Sequence, residues 1–131
     1  MKARIFGQVD LRRLLHSSTM CDALAAVGLR CANIASDETA ICAVIGQSWL
    51  EDNRRNGSDE RPELASKLLA AWQTYGSEVC SRLRGAYSFA VVDAQRRCAF
   101  LAVDRFAIET LCYSTDGKTL AFADRADCIA A

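Results

Sequence analysis

Residues 83–93 read LRGAYSFAVVD, and residues 104–113 read DRFAIETLCY. They lie in a region whose pattern predicts two β-hairpins in tandem. Runs of apolar and β-branched residues predict four strands, at Ala86–Val92, Cys98–Val103, Thr110–Tyr113 and Thr119–Ala123. The predicted turns are Asp93–Arg97 and Thr115–Lys118, and the Asp-Gly pair in the second is the strongest hairpin signal in the chain.

The first half of the chain predicts strands and helices in mixed order. Ile5–Val9 predict a strand, and Leu11–Val27 have helical spacing that should stop at Gly28. A break is expected at residues 17–19, because their hydroxyl groups compete for backbone hydrogen bonds. Two more strands are predicted at Cys31–Ala35 and Ala40–Ile45, with a polar turn between them.

The middle of the chain predicts a loop and then a helix. Residues 50–62 are markedly polar and are expected to form a surface loop. Pro62 opens a helix that should end at Gly76, and a short helix is predicted at Glu78–Leu83. Helices that lie outside antiparallel strands indicate an α+β layered fold.

The composition predicts one globular domain. The chain has 131 residues, of which 51% are hydrophobic, and this is enough for a single core. Its 16 basic and 16 acidic residues cancel, which argues against nucleic acid as a partner. Its apolar runs fall short of the ~20 residues of a membrane span. Met1–Arg4 are not followed by a signal-peptide core, so we expect a cytoplasmic protein without a membrane partner.

The cysteines predict neither a disulfide framework nor a metal site. There are seven of them, and an odd number without an export signal indicates free thiols. They are widely spaced, and His16 is the single histidine, so metal-ligand spacing is lacking. Most are expected to be small core residues.

The motifs of the second half follow a specific order. They are Tyr75-Gly76, Arg82–Gly85, Tyr87–Ala90, Asp93, Leu101–Phe106, Leu111–Tyr113 and Leu120–Ala123. This order resembles the N-terminal class II glutamine amidotransferase domain of asparagine synthetases, over about residues 63–128. The resemblance implies a four-layer αββα sandwich of the N-terminal-nucleophile type, shortened here. It marks Gly85, Asp93, Asp104 and Arg105 as retained structural positions.

The start of the chain differs from that family at the nucleophile. The family begins Met-Cys-Gly-Ile-Phe-Gly, whereas here Ala3 and Arg4 precede Ile5-Phe6-Gly7. As the resemblance implies, the cysteine attacks the side-chain amide of glutamine while its own α-amine acts as the base. Alanine has no thiol, so no acyl-enzyme is expected at this position. Lys2 is too large to favour removal of Met1, so processing is not expected to supply a nucleophile.

The positions that would bind glutamine also differ. The family's Asn-Gly-Glu loop aligns with residues 45–47, and Ile45 has no side-chain donor for an oxyanion. Leu64 lies near the place of an aspartate that would bind the amino group, and the arginine that would hold the carboxylate has no clear counterpart. We therefore predict a vestigial site without a cofactor, at Ala3, Arg4, Ile45, Gly46 and Gln47.

The stretch that begins at Asp104 has three further departures. Ala107 replaces a glycine, Glu109 a basic residue and Thr110 a proline. Alanine tolerates a positive φ poorly, so this turn is expected to differ locally. Asp104 and Arg105 are interpreted either as support for the active-site wall or as a buried or partly buried ion pair that holds two strands, and we favour the ion pair.

Together these substitutions predict a catalytically inactive glutaminase-like domain with a structural role. Its expected partner is an ATP-dependent, AMP-forming amide synthetase domain, on the same chain or separate, that uses ATP and magnesium. β-lactam synthetases and lasso-peptide cyclases resemble this arrangement, and a precursor peptide is then a further partner. Two alternatives stay open: an active glutamine-hydrolysing subunit, with Cys42 as an example of a nucleophile, and a module that binds a small ligand or peptide.

Overall fold

The computed structural model describes residues 3–25, 27–50 and 62–128, which form an α+β fold with two antiparallel sheets. The strands are β1 (Ile5–Asp10), β2 (Val27–Cys31), β3 (Ile34–Ser36), β4 (Ala40–Leu50), β5 (Leu83–Asp93), β6 (Cys98–Val103), β7 (Cys112–Thr115) and β8 (Thr119–Ala123). The α-helices are α1 (Leu11–His16), α2 (Met20–Ala25) and α3 (Pro62–Tyr75). Short 3-10 helices lie at Gly76–Ser81 and Ala126–Cys128.

Each sheet has four strands. Sheet 1 has the order β2-β1-β8-β7, and sheet 2 has the order β3-β4-β5-β6. The two predicted hairpins are confirmed as β5–β6 and β7–β8, and they belong to different sheets. Residues 104–111, between β6 and β7, therefore cross from sheet 2 to sheet 1.

Sheet 2 is buried on both faces. Its central strands β4 and β5 pair over 11 residues, from Ala40 opposite Asp93 to Leu50 opposite Leu83. Successive side chains of these strands point to opposite faces. Val44 and Phe89 pack under α3, whereas Ala43, Ala90 and Val92 pack against sheet 1. Burial on both faces explains why the two strands read as nearly continuous apolar runs.

Helix α3 covers the outer face of sheet 2 through Leu68, Leu69 and Trp72. Asp93 fixes the turn beneath the helix, since its Oδ1 accepts the backbone N–H groups of Gln95 (2.9 Å) and Arg96 (2.8 Å). The shorter helices α1 and α2 lie elsewhere and contribute Leu14 and Ala23 to the core between the sheets.

The helix predictions were partly wrong. The break at residues 17–19 is confirmed, and Ser17 donates its backbone N–H to the carbonyl of Arg13. Gly28 does not stop a helix, because it lies in β2 opposite Gln8 of β1. The helix predicted at Glu78–Leu83 is instead the 3-10 helix Gly76–Ser81, and Leu83 is already paired with Leu50 in sheet 2.

Two strand predictions also need correction. Cys31–Ala35 is not one strand: β2 ends at Cys31 in sheet 1, and β3 begins at Ile34 in sheet 2. Thr110 is not in β7, because its hydroxyl donates to the carbonyl of Asp124 (3.2 Å) and the ladder with β8 begins at Cys112. Of the predicted polar loop, residues 51–61 lie outside the described part of the chain. No described helix is long and apolar enough to cross a membrane.

Candidate functional site

The start of β1, the middle of β4 and residues 104–110 meet at one end of the two sheets. The guanidinium group of Arg4 contacts the carboxylate of Glu109. The Cγ of Glu109 lies 3.0 Å from the place that a Cβ would take on Gly46. Glu109 therefore connects two of the predicted site positions, Arg4 before β1 and Gly46 in β4.

Asp104 fixes the backbone of this crossing segment. Its buried carboxylate accepts N–H groups of Tyr87 (3.1 Å), Phe106 (3.0 Å), Ile108 (3.0 Å) and Glu109 (3.0 Å). Burial disfavours the charged carboxylate, but these backbone hydrogen bonds outweigh that effect and hold the pKa of Asp104 below its usual value.

The predicted ion pair between Asp104 and Arg105 is wrong. Arg105 is exposed, and it forms no ion pair with any residue of the described ranges. The backbone N–H groups of the loop already occupy the carboxylate of Asp104. Asp104 thus stabilises the loop without a charged partner.

The loop keeps a strained residue at its centre. Ala107 has a φ of 52°, in the left-handed region that favours glycine. Alanine therefore adopts the conformation expected of the family's glycine, at some cost in backbone strain. On either side of it, Phe106 and Ile108 are 78% and 69% exposed. The loop presents two large apolar side chains to solvent on a backbone that Asp104 holds in place.

Arg4 lies between two carboxylates. Its guanidinium group contacts Glu109, and its Nε donates to Asp124 (3.2 Å). The hydrogen bonds to Glu109 and to Asp124 outweigh the effect of burial and raise the pKa of Arg4. Asp124 Oδ1 also accepts the backbone N–H groups of Arg4 (2.8 Å) and Ile5 (3.2 Å). One aspartate therefore fixes both the backbone at the start of β1 and the side chain of Arg4.

Two glycines shape the strands behind this cluster. Gly46 and Gly85 have φ values of 109° and 98°. A Cβ on Gly46 would lie 2.3 Å from the carbonyl oxygen of Ala86, and one on Gly85 would lie 2.3 Å from that of Gln47. Only glycine fits this close approach of β4 and β5.

A groove of about 560 Å³ borders the same loop. It is lined by Cys80, Leu83, Arg84, Gly85, Tyr87, Arg105 and Phe106. Burial raises the pKa of both the Tyr87 hydroxyl and the Cys80 thiol. Both groups are therefore neutral near pH 7.

The second part of the chain matches a known family. The sequence model of a family described as a glutamine amidotransferase domain matches residues 50–131. These residues include β5 to β8 and the loop held by Asp104. The chain belongs to this family.

The curated relatives of this amidotransferase domain are much longer proteins. Putative glutamine-hydrolysing asparagine synthetases of Mycobacterium bovis and Mycobacterium tuberculosis are 37% identical to it over 62 residues. The matched segment is 47% of this chain and 10% of each relative. The domain is therefore related to asparagine synthetases, and the match spans about a tenth of the length of these relatives.

The amidotransferase domain brings some of the predicted site residues together and separates others. Arg4 and Gly46 lie on either side of Glu109. Ile45 packs against the core between the sheets, whereas Gln47 is exposed. Ala3 is half-buried, directly before Arg4. Leu64 lies near the start of α3 and packs against the other core, between α3 and sheet 2.

The thiols of the domain are mostly shielded. Burial raises the pKa of Cys42 to about 12, so its reactive thiolate is scarce at neutral pH. Burial also raises the pKa of Cys31, Cys80 and Cys98. In the described ranges no group of three or more His, Cys, Asp and Glu residues is placed to hold a metal ion.

Sequence reasoning missed Asp124. The local sequence carries no signal for it, because its place beside Arg4 follows from the antiparallel pairing of β8 with β1, in which Ala123 lies opposite Phe6. A carboxylate placed just after β8 must therefore lie beside the residues that open β1. The contact of Glu109 with Arg4 was missed too. The sequence shows only that Glu109 replaces a basic residue of the family pattern.

Proposed function

We propose that this domain is a catalytically inactive glutaminase with a structural role beside an ATP-dependent, AMP-forming amide synthetase. The observation that carries the proposal is Ala3, which stands directly before Arg4 at the start of β1. The family's nucleophile is a cysteine at that place. A methyl group has no thiolate to attack the amide carbon of glutamine and release ammonia, so no acyl-enzyme forms there.

The remaining thiols and donors support the same conclusion. Cys42, the candidate nucleophile of the enzyme alternative, is buried with a pKa of about 12. Ile45 stands where an amide side chain would donate to an oxyanion, and its side chain packs into the core. Loss of nucleophile and of oxyanion donor removes both parts of the chemistry.

The proposed fold is a shortened four-layer αββα sandwich. Sheets 1 and 2 supply the two β layers and α3 supplies one helical layer. The short helices α1 and α2 are the reduced second helical layer. This reduction is consistent with loss of the segments that would complete a glutamine pocket.

The partner proposal rests on the exposed loop and on the relatives. Phe106 and Ile108 offer an apolar contact on a fixed backbone. The relatives are named asparagine synthetases, which supports a synthetase that binds ATP and magnesium as the partner. In a lasso-peptide version, the synthetase would act on a precursor peptide.

Covalent capture tests the loss of catalysis. The purified domain is incubated with a glutamine-mimicking electrophile and examined by intact-mass and peptide mass spectrometry. We expect no adduct at concentrations that label an active class II glutaminase completely. A single stoichiometric adduct on one cysteine would overturn the proposal.

Co-purification tests the structural role. The domain is produced with the amide synthetase encoded in the same or the neighbouring reading frame. Phe106→Ser with Ile108→Ser should abolish co-elution, whereas Tyr113→Ser, which alters another exposed aromatic residue, should not. Equal co-elution of all three proteins would show that the loop is not the contact.

A further inference from the structure

We propose that Arg4 and Glu109 form a plug at the surface that closes the vestigial glutamine pocket. The inference rests on the proposed function, because it concerns the same site. The plug consists of these two side chains and is anchored by Asp124. Its effect is to keep small molecules away from the position of Ala3.

The plug joins both sheets. Glu109 lies against Gly46 of sheet 2, with its Cγ 3.0 Å from the place of a Cβ there. Its carboxylate faces the guanidinium group of Arg4, which opens β1 of sheet 1, and Arg4 Nη1 donates to Glu109 Oε2 at 3.4 Å. The ion pair therefore joins Arg4, the residue next to the vestigial nucleophile position Ala3, to Gly46 of the vestigial oxyanion loop.

The two residues depend on each other. Arg4 replaces a glycine of the family pattern, and Glu109 replaces a basic residue. A basic residue at position 109 would face Arg4 with like charge. A glycine at position 4 would leave the carboxylate of Glu109, which is only 16% exposed, without its cation. Arg4 and Glu109 therefore compensate each other's charge, and either substitution alone would leave an unfavourable charge at this site.

The plug can be removed without detaching β1. Asp124 accepts the backbone N–H groups of Arg4 and Ile5, and these bonds do not involve the guanidinium group. The side chain of Arg4 is 58% exposed, whereas that of Asp124 is 7% exposed. Substitution of Arg4 or Glu109 should therefore open the pocket while β1 stays paired.

A reporter thiol measures this opening. Ala3→Cys is introduced into the full chain, and its alkylation by iodoacetamide, a small uncharged reagent, is followed by peptide mass spectrometry. Arg4→Gln and Glu109→Gln are added singly. The matched control is Arg125→Gln, which breaks the exposed ion pair with Asp127 two residues away.

The two variants separate access from local charge. Loss of the cation raises the pKa of a nearby thiol and slows alkylation, whereas loss of the anion lowers it and speeds alkylation. The plug predicts that both variants speed alkylation, by about two- to fivefold, within the range expected of an ion pair of this exposure. Arg125→Gln should leave the rate unchanged. Opposite effects of the two variants, or no effect, would overturn the plug.

Hydrogen exchange gives a second measurement without the reporter thiol. In Arg4→Gln and in Glu109→Gln, peptides that cover residues 104–110 should exchange faster, while the β4–β5 ladder keeps its protection. Unchanged exchange at 104–110 would overturn the plug. Glutamine hydrolysis by the wild-type domain would overturn the proposed function but not the closure, so the two failures are distinguishable.

Discussion

The indole N–H of Trp72 donates a hydrogen bond of 2.7 Å to the carboxylate of Asp93, and both side chains are buried. The other oxygen of Asp93 accepts the backbone N–H groups of Gln95 and Arg96. A single carboxylate thus joins α3 to the turn of the first hairpin. The relationship gives Asp93, at the end of β5, a structural role.

Removal of either partner should destabilise the domain. In Asp93→Asn, the side-chain amide NH₂ must face at least one of the N–H groups that the carboxylate accepted, which places donor against donor. In Trp72→Phe, the buried carboxylate of Asp93 loses the indole donor. We expect each to lower the free energy of unfolding by about 1–3 kcal/mol in urea titrations. Asp127→Asn, at an exposed acid, is the control and should change it little. Equal stabilities of all these proteins would contradict the role given to Asp93.

Asp104 should make the stability of the domain depend on pH at the acid end. Its folded-state pKa is lowered, so its contribution is complete above the unfolded-state pKa of about 3.9 and is lost as pH falls through the lower folded-state value. Wild type and Asp104→Asn are compared by urea unfolding between pH 7 and pH 2.5. The difference should be largest above about pH 5 and should shrink below pH 4. A difference that does not vary with pH would exclude this carboxylate as the cause.

The close approach of β4 and β5 should make Gly46 and Gly85 intolerant of alanine. Each combines a positive φ with a carbonyl oxygen 2.3 Å from the new Cβ. We expect Gly46→Ala and Gly85→Ala to cost at least about 2 kcal/mol of the free energy of unfolding. Gly117 has a φ of 88° in open space, and Gly28 is neither strained nor crowded.

Gly117 and Gly28 supply graded controls, measured by thermal and chemical unfolding. Gly117→Ala carries the backbone strain alone and should cost about 1 kcal/mol, while Gly28→Ala should cost less. If Gly46→Ala lowers the free energy of unfolding no more than Gly117→Ala does, the contact with the carbonyl of Ala86 does not explain the need for glycine.

Cys42 should resist alkylation in the folded domain. Its pKa of about 12 keeps the thiol neutral at pH 8, and the side chain is fully buried. Iodoacetamide at pH 8 should label the exposed Cys21 and spare Cys42 until denaturant is added. Because the folded-state pKa is raised, the protection should persist up to pH 9. Labelling of Cys42 as fast as Cys21 would revive the alternative in which it is a nucleophile.

The sequence predicted those parts of the fold that depend on local pattern. The hairpins at β5–β6 and β7–β8 follow from alternation and from the Asp116-Gly117 turn, which the structure contains. The break between α1 and α2 follows from the hydroxyl residues that separate them. The division of Cys31–Ala35 between two sheets was not predictable, because it depends on which distant strands each half pairs with.

The candidate site shows the same limit. The departures at Arg4 and Glu109 were visible in the sequence, but their contact joins residues 105 positions apart and depends on the crossing between sheets. Asp104 and Arg105 suggested a buried or partly buried ion pair that holds two strands. In the folded chain the backbone N–H groups of a tight loop are closer donors than the arginine. Local sequence does not show how that loop folds back.

Hydrolysis of glutamine is the most direct test of the account. The purified domain, alone and together with its synthetase, is incubated with glutamine, and ammonia and glutamate are measured. An active class II glutaminase serves as the positive control and a heat-denatured sample as the blank. We expect no ammonia above the blank. Saturable release of ammonia and glutamate in equal amounts by the folded domain would contradict the claim that it is inactive.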